Sequence, residues 1–186
     1  RDVDAVLWRL HRQGMQSLII DVRGNPGGLL TAAVEVADKF VQDGTIVSTR
    51  GRSPREDYDY KAHQVGTWRV PLVVLVDGDS ASASEIFAAA IYDHRRGTIV
   101  GQQSYGKGSV QGIFPFNLSR SGIRLTTAKF YAPTGRPISE RGVTPHVAVH
   151  LQEKSPVDGR IIPDNEKQSD PVIEAAIKAA RRVAKL

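Results

Sequence analysis

The sequence predicts a layered α/β unit with parallel strand pairing, a β-rich second half and a closing helix. Three observations predict it. Strand-like apolar runs alternate with helical periodicities through the first hundred residues, the pattern of strand–helix–strand crossovers. Pro71–Asp77 (PLVVLVD) carries five consecutive apolar residues before turn chemistry, as a strand covered on both faces does. Beyond residue 100 the apolar runs are separated by turns rather than helices, so a simple doubly wound sheet does not describe the whole chain.

Each element follows from local pattern. Val3, Val6, Leu7 and Leu10 recur at helical spacing across 2–13, and Gly14 stops that helix. Ser17–Val22 (SLIIDV) is a short buried strand, followed by the loop Arg23–Gly28 and a helix over Leu29–Val41. Thr45–Arg50 is a strand. Residues 51–68 are polar and irregular and are expected to form a surface loop or flap. After the Pro71–Asp77 strand, Gly78–Ala81 turns the chain into a helix over Ser82–Arg96. Thr98–Val100 is a brief strand and Gln102–Gly108 a glycine-punctuated loop. Val110–Phe116 and Gly122–Tyr131 are β segments, Pro133–Gly135 a turn and Val143–His150 a further strand. Residues 151–168 form a long loop. The last helix, Asp170–Ala184, has Asp170 as its cap and Pro171 at its first position.

The bulk composition excludes several classes. The 186 residues suffice for one domain with its own core. No run of eighteen apolar residues exists, so no membrane-spanning helix is expected. With no cysteine there is no disulfide, thiol nucleophile or Cys-ligated zinc. The formal charge of +5 owes part to Lys178, Arg181, Arg182 and Lys185 on the last helix. Those cations suit the negative end of a helix and a solvated face. No aromatic-interleaved basic patch accompanies them, so nucleic acid is not an expected partner. Peripheral contact with an acidic membrane surface is the remaining use of that helix. His11, His63, His94, His146 and His150 form no metal-binding or catalytic pattern, and neither metal nor cofactor is expected.

Three turns hold candidate chemistry. In Asp21–Gly28 (DVRGNPGG) a strand–glycine loop–helix aims N–H groups at whatever lies above the strand end. It lacks the dinucleotide fingerprint and suits a phosphate or an oxyanion, or a plain tight turn. In Gly78–Glu85 (GDSASASE) a hydroxyl opens a helix where negative charge is favoured. The match to a G-x-S-x-G elbow fails at its last glycine, and Ser82 with Glu85 alone reads as a capping box. Gly101–Ser109 (GQQSYGKGS) narrowly misses a phosphate-binding loop. Gly108 displaces the required hydroxyl, and the next run is β rather than helical. Lys107 has another use as a general base, with Gln111 on the same side of an extended segment. At pH 7 only about one lysine in 2,500 is neutral, and an amine enclosed without a carboxylate partner loses its proton far more readily. Asp93 lies about 16 Å along a helix from Ser82, too far to be its partner, and is expected to anchor the helix instead.

Together, Asp21–Gly28, Ser80–Ala90 (SASASEIFAAA), Asp93 and Gly106–Gln111 (GKGSVQ) resemble the C-terminal processing peptidases, also called tail-specific proteases, over roughly residues 3–150. The segment 133–149 resembles that family's closing segment, with His146 after Pro145 where the family usually has Asp. The resemblance implies that Ser82 is the nucleophile, Lys107 the general base and Gln111 the residue that positions it. It implies an oxyanion hole from the backbone N–H groups of Ala83 and of Gly28, or of Gly27. It implies a core of the Clp protease/crotonase type over 1–150, N-terminally incomplete and without the usual upstream PDZ domain, with 151–186 as a loop and helix packed on it. Protein or peptide substrates with exposed C-terminal tails are the implied partners, and the bacterial envelope, usually the periplasm, the implied location. A catalytically silent relative that binds peptide tails or an apolar ligand is the second reading. The joint presence of Ser82, Lys107 and Gln111 argues against it.

Overall fold

The computed structural model describes residues 2–63, 66–116, 121–150 and 170–183. In chain order the elements are α1 (Asp2–Arg12), β1 (Leu18–Asp21), α2 (Leu30–Asp38), β2 (Thr45–Gly51), β3 (Tyr58–Lys61), β4 (Leu72–Val76), α3 (Ala83–Asp93), β5 (Thr98–Gly101), β6 (Ser109–Pro115), β7 (Gly122–Tyr131), β8 (Val147–Ala148) and α4 (Pro171–Val183). One sheet has the order β1-β4-β5-β8 with parallel neighbours. The other has the order β3-β2-β7-β6 with antiparallel neighbours.

β4 is the axis of the molecule. Its five residues are each no more than 1% exposed. Because side chains alternate along a strand, Leu72, Val74 and Val76 join the larger core with Ile86, Ala90 and Ile91 of α3, whereas Val73 and Leu75 meet Val172, Ala176 and Ala180 of α4. α3 is buried from Ala83 to Ile91, because it lies between β4 on one side and Ile46, Val47 and Phe130 of the second sheet on the other. Its Ala88, Ala89 and Ala90 permit that close packing. The layered α/β core expected from the sequence is therefore present, with helices on both faces of the parallel sheet.

Two element assignments need correction. The stretch 51–68, expected to be irregular, contains a 3-10 turn at Pro54–Glu56 and the strand β3, which pairs with β2. The alternation in Tyr58-Asp59-Tyr60-Lys61 supplies a strand period, and the Tyr58 and Tyr60 rings meet edge to face at 4.6 Å. The strand expected over Val143–His150 shrinks to Val147–Ala148, since Pro145 offers no N–H to a ladder. The loop expected over 151–168 lies outside the described residues. α4 begins as its cap predicts: Asp170 Oδ1 accepts from the Val172 and Ile173 N–H groups at 2.9 and 3.2 Å.

Candidate active site

The site begins where β4 ends. Asp77 Oδ1 accepts from the Asp79 and Ser80 N–H groups at 3.1 and 2.9 Å, which closes a tight turn. Ser82 then opens α3 with φ 56° and ψ −115°, a conformation that costs a non-glycine residue about 1–3 kcal/mol and persists only where its surroundings enforce it. The flanking hydroxyls are committed elsewhere. Ser80 is fully buried and donates to the Val22 carbonyl at 2.8 Å. Ser84 donates to the Asn25 carbonyl at 3.1 Å.

The loop after β1 lies against this turn. Gly27 has φ +97°, and a Cβ there would stand 2.6 Å from the Ala81 carbonyl oxygen, 2.7 Å from the Ala83 nitrogen and 2.9 Å from Ser82 Cβ. Only glycine allows both the dihedral and the approach. Asn25 knits the two segments: its carbonyl accepts from the Ala81 N–H at 3.1 Å, and its Oδ1 accepts from the Gly27 N–H at 2.9 Å. The Gly27 donor is thus engaged, whereas the N–H groups of Gly28 and Ala83 have no partner among the described residues.

The lysine loop is tied to the same turn by a side chain that the sequence showed only as half of a cap. Glu85 is fully buried. Its carboxylate accepts from the N–H groups of Ser82 at 2.8 Å, Gly106 at 2.6 Å and Lys107 at 2.8 Å, and from Ser104 Oγ at 2.6 Å. One carboxylate thereby holds the Ser82 turn and the Lys107 loop in register. Glycine flanks Lys107 for a steric reason, since a side chain at Gly108 would collide with the backbone at Ser139.

Gly28, Ser82, Ala83, Lys107 and Gln111 line one cleft of about 280 Å³, with Leu30, Ile86 and Phe130 as its apolar wall. Gly27 borders a neighbouring apolar cavity of about 220 Å³ that shares Gly28 and Ala83. Lys107 and Gln111 reach the cleft although the ladder shifts register between Val110 and Gln111. The Lys107 side chain is exposed rather than enclosed as the sequence reading required. No described carboxylate pairs with it. Among the described residues no histidine lines the cleft. Asp93 sits at the far end of α3, where it accepts from the Thr134 N–H and Oγ at 3.0 and 2.7 Å and so anchors the helix. A hydroxyl at a helix start, two unengaged N–H groups and an amine are the components of acyl transfer.

The family described as Peptidase family S41 has a model that matches residues 1–149. The chain belongs to this family. A carboxy-terminal-processing protease of Bartonella bacilliformis is 48% identical over 144 residues, 75% of this chain and 33% of that protein. A tail-specific protease of Haemophilus influenzae is 40% identical over 153 residues, 76% of this chain and 21% of that protein. Among solved structures, a photosystem II D1 C-terminal processing protease superposes with a TM-score of 0.68 at 36% identity, covering 76% of this chain and 36% of that one. The tricorn protease shares the fold alone, with a TM-score of 0.57 at 19% identity over 92% of this chain and 15% of that one. The chain spans between about a fifth and a third of the length of the curated relatives it matches. The S41 peptidase fold therefore accounts for the layered core.

Proposed function

We propose that this chain is the catalytic core of a serine endopeptidase that hydrolyses peptide bonds near protein C-termini with Ser82 as nucleophile and Lys107 as general base. The observation that carries the reading is the one cleft shared by Ser82, Lys107, Gln111, Gly28 and Ala83. Membership of a peptidase family supports it independently. Ser80 and Ser84 are poorer nucleophiles, because their hydroxyls are already bonded to carbonyls.

The chemistry follows from those groups. Substrate seated in the cleft covers the exposed Lys107 amine and favours its uncharged form, which takes the Ser82 proton as Oγ bonds to the substrate carbonyl carbon. The displaced π pair settles on the carbonyl oxygen, which the Gly28 and Ala83 N–H groups hold. Gly27 serves that hole by its close approach, with its own N–H kept on Asn25. The tetrahedral species collapses, the C–N bond breaks, and the Lys107 ammonium gives its proton to the leaving amine. Water then loses a proton to Lys107 as its oxygen bonds to the ester carbonyl carbon, the second tetrahedral species collapses, the C–Oγ bond breaks, and the Lys107 ammonium returns the proton to Ser82. The Gln111 amide orients the Lys107 amine. Substrates are proteins or peptides with exposed C-terminal tails. The setting on this reading is the bacterial envelope; no described helix is long and apolar enough to cross a membrane.

The test is digestion of a folded protein carrying an unstructured C-terminal tail, with products identified by mass spectrometry. The wild type should cut within the tail. Ser82→Ala and Lys107→Ala should leave it intact while melting near the wild-type temperature. Turnover by Lys107→Ala would remove the base assignment, and turnover by Ser82→Ala the nucleophile.

A further inference from the structure

The loop that carries Gly27 and Gly28 is held at two points. From β4, both carboxylate oxygens of Asp77 accept from the Gly24 N–H at 3.0 Å. The second anchor is Arg23, the first residue of the loop. Its guanidinium meets Asp21, the last residue of β1, at 2.7 Å. It also meets Asp170 at 2.9 Å. Asp170 belongs to neither the loop nor the cleft. It caps α4, whose Val172, Ala176 and Ala180 dock on the face of β4 turned away from α3.

We infer that Asp170 is a positioning residue: it holds Arg23, and through Arg23 the loop that presents Gly28 to Ser82, so that α4 helps set the oxyanion geometry. This rests on the proposed peptidase reading for its catalytic consequence. The physical case is that an Arg–carboxylate pair fixes orientation as well as distance. Arg23 and Asp170 are only partly exposed, at 22% and 34% of their side chains, so solvent screens the pair incompletely. Partial burial works against the Asp170 charge. The Arg23 guanidinium and the Ile173 and Val172 N–H groups outweigh it and hold the carboxyl below its ordinary value of 3.8. With Asp170 neutralised, the Asp77 anchor and the Arg23–Asp21 pair remain, so the loop loosens without unfolding. A small displacement of a catalytic group costs about a hundredfold in rate.

Asp170→Asn separates the two duties of the residue, because Asn caps a helix as well as Asp does but carries no charge for Arg23. The experiment compares wild type, Asp170→Asn, Arg23→Gln and the double variant by hydrogen–deuterium exchange over residues 24–28 and by the rate of Ser82 acylation with a fluorophosphonate probe. Asp170→Asn should speed exchange in that loop, leave exchange in α4 at the wild-type level, and slow acylation about 10- to 100-fold. The double variant should be no slower than Arg23→Gln. Unchanged exchange at 24–28 would overturn the inference whatever the probe does, as would independent, multiplying losses in the double variant. A wild type that the probe never acylates at Ser82, with exchange altered as expected, would instead sink the peptidase reading and leave the anchor standing.

Discussion

Ser82 is held in a dihedral that serine does not choose, and Glu85 is what holds it. The carboxylate is wholly enclosed and has four donors aimed at it. Replacing one oxygen by an amide turns a donor toward N–H groups, and each buried donor left unpaired costs about 1–3 kcal/mol. Glu85→Gln should therefore lower both the melting temperature and the cleavage rate. Loss of neither would mean that the Ser82 turn does not depend on this side chain. Gly27→Ala faces two obstacles, a positive φ and a Cβ within 2.6 Å of a carbonyl oxygen. It should abolish turnover while the rest of the core still folds, as checked by circular dichroism alongside the digestion assay. Residue type and spacing made Ser82, Lys107, Gln111 and the glycines legible as candidates. The wider role of Glu85 was not legible, since three of its donors come from the loop at 104–107, some twenty residues away in sequence. That the Gly27 N–H is engaged and, among the described residues, the Gly28 N–H is not was equally hidden, because it turns on the side chain of Asn25.

At the scale of elements, strong periodicity read well and short strands did not. β4 and α3 announce themselves by uninterrupted apolar or alanine-rich runs. β3 hides in a polar stretch, and β8 follows a proline that confines it. The segment before β8 is secured instead by His146. Its N–H donates to the Ile99 carbonyl at 2.9 Å, and its Nδ1 accepts from the Ile99 N–H at 3.0 Å. The ring stacks on Tyr92 at 4.3 Å. Nδ1 accepts only when that nitrogen is unprotonated, and burial lowers the His146 pKa below 6.5. The unfolded chain then binds the proton more readily than the folded one, so this contribution to stability is complete above pH 6.5 and declines as pH falls toward the lower folded value. The melting temperature of the wild type should fall relative to that of His146→Asn, whose amide oxygen can accept at any pH, as the pH is lowered from neutral. A difference that does not vary with pH would exclude the histidine as the titrating group.

The described residues form two sheets with α3 between them and α4 on the outer face, so the central strand transmits packing to both sides. Leu75 is fully buried beneath α4, and Leu75→Ala should cost about 2–5 kcal/mol of stability, measurable by denaturant unfolding. A loss under 1 kcal/mol would mean that α4 is not part of the cooperative core. This architecture brings together loops that are distant in sequence, which is why three separate motifs had to be read jointly before any of them pointed to chemistry. On the proposed mechanism the Ser82 hydroxyl is acylated with help from the Lys107 amine. Peptide mapping of the adduct formed with a fluorophosphonate probe tests it most directly. The label should fall on Ser82 alone and vanish in Lys107→Ala at equal folding. A label on Ser80 or Ser84, or undiminished labelling without the lysine, would contradict it.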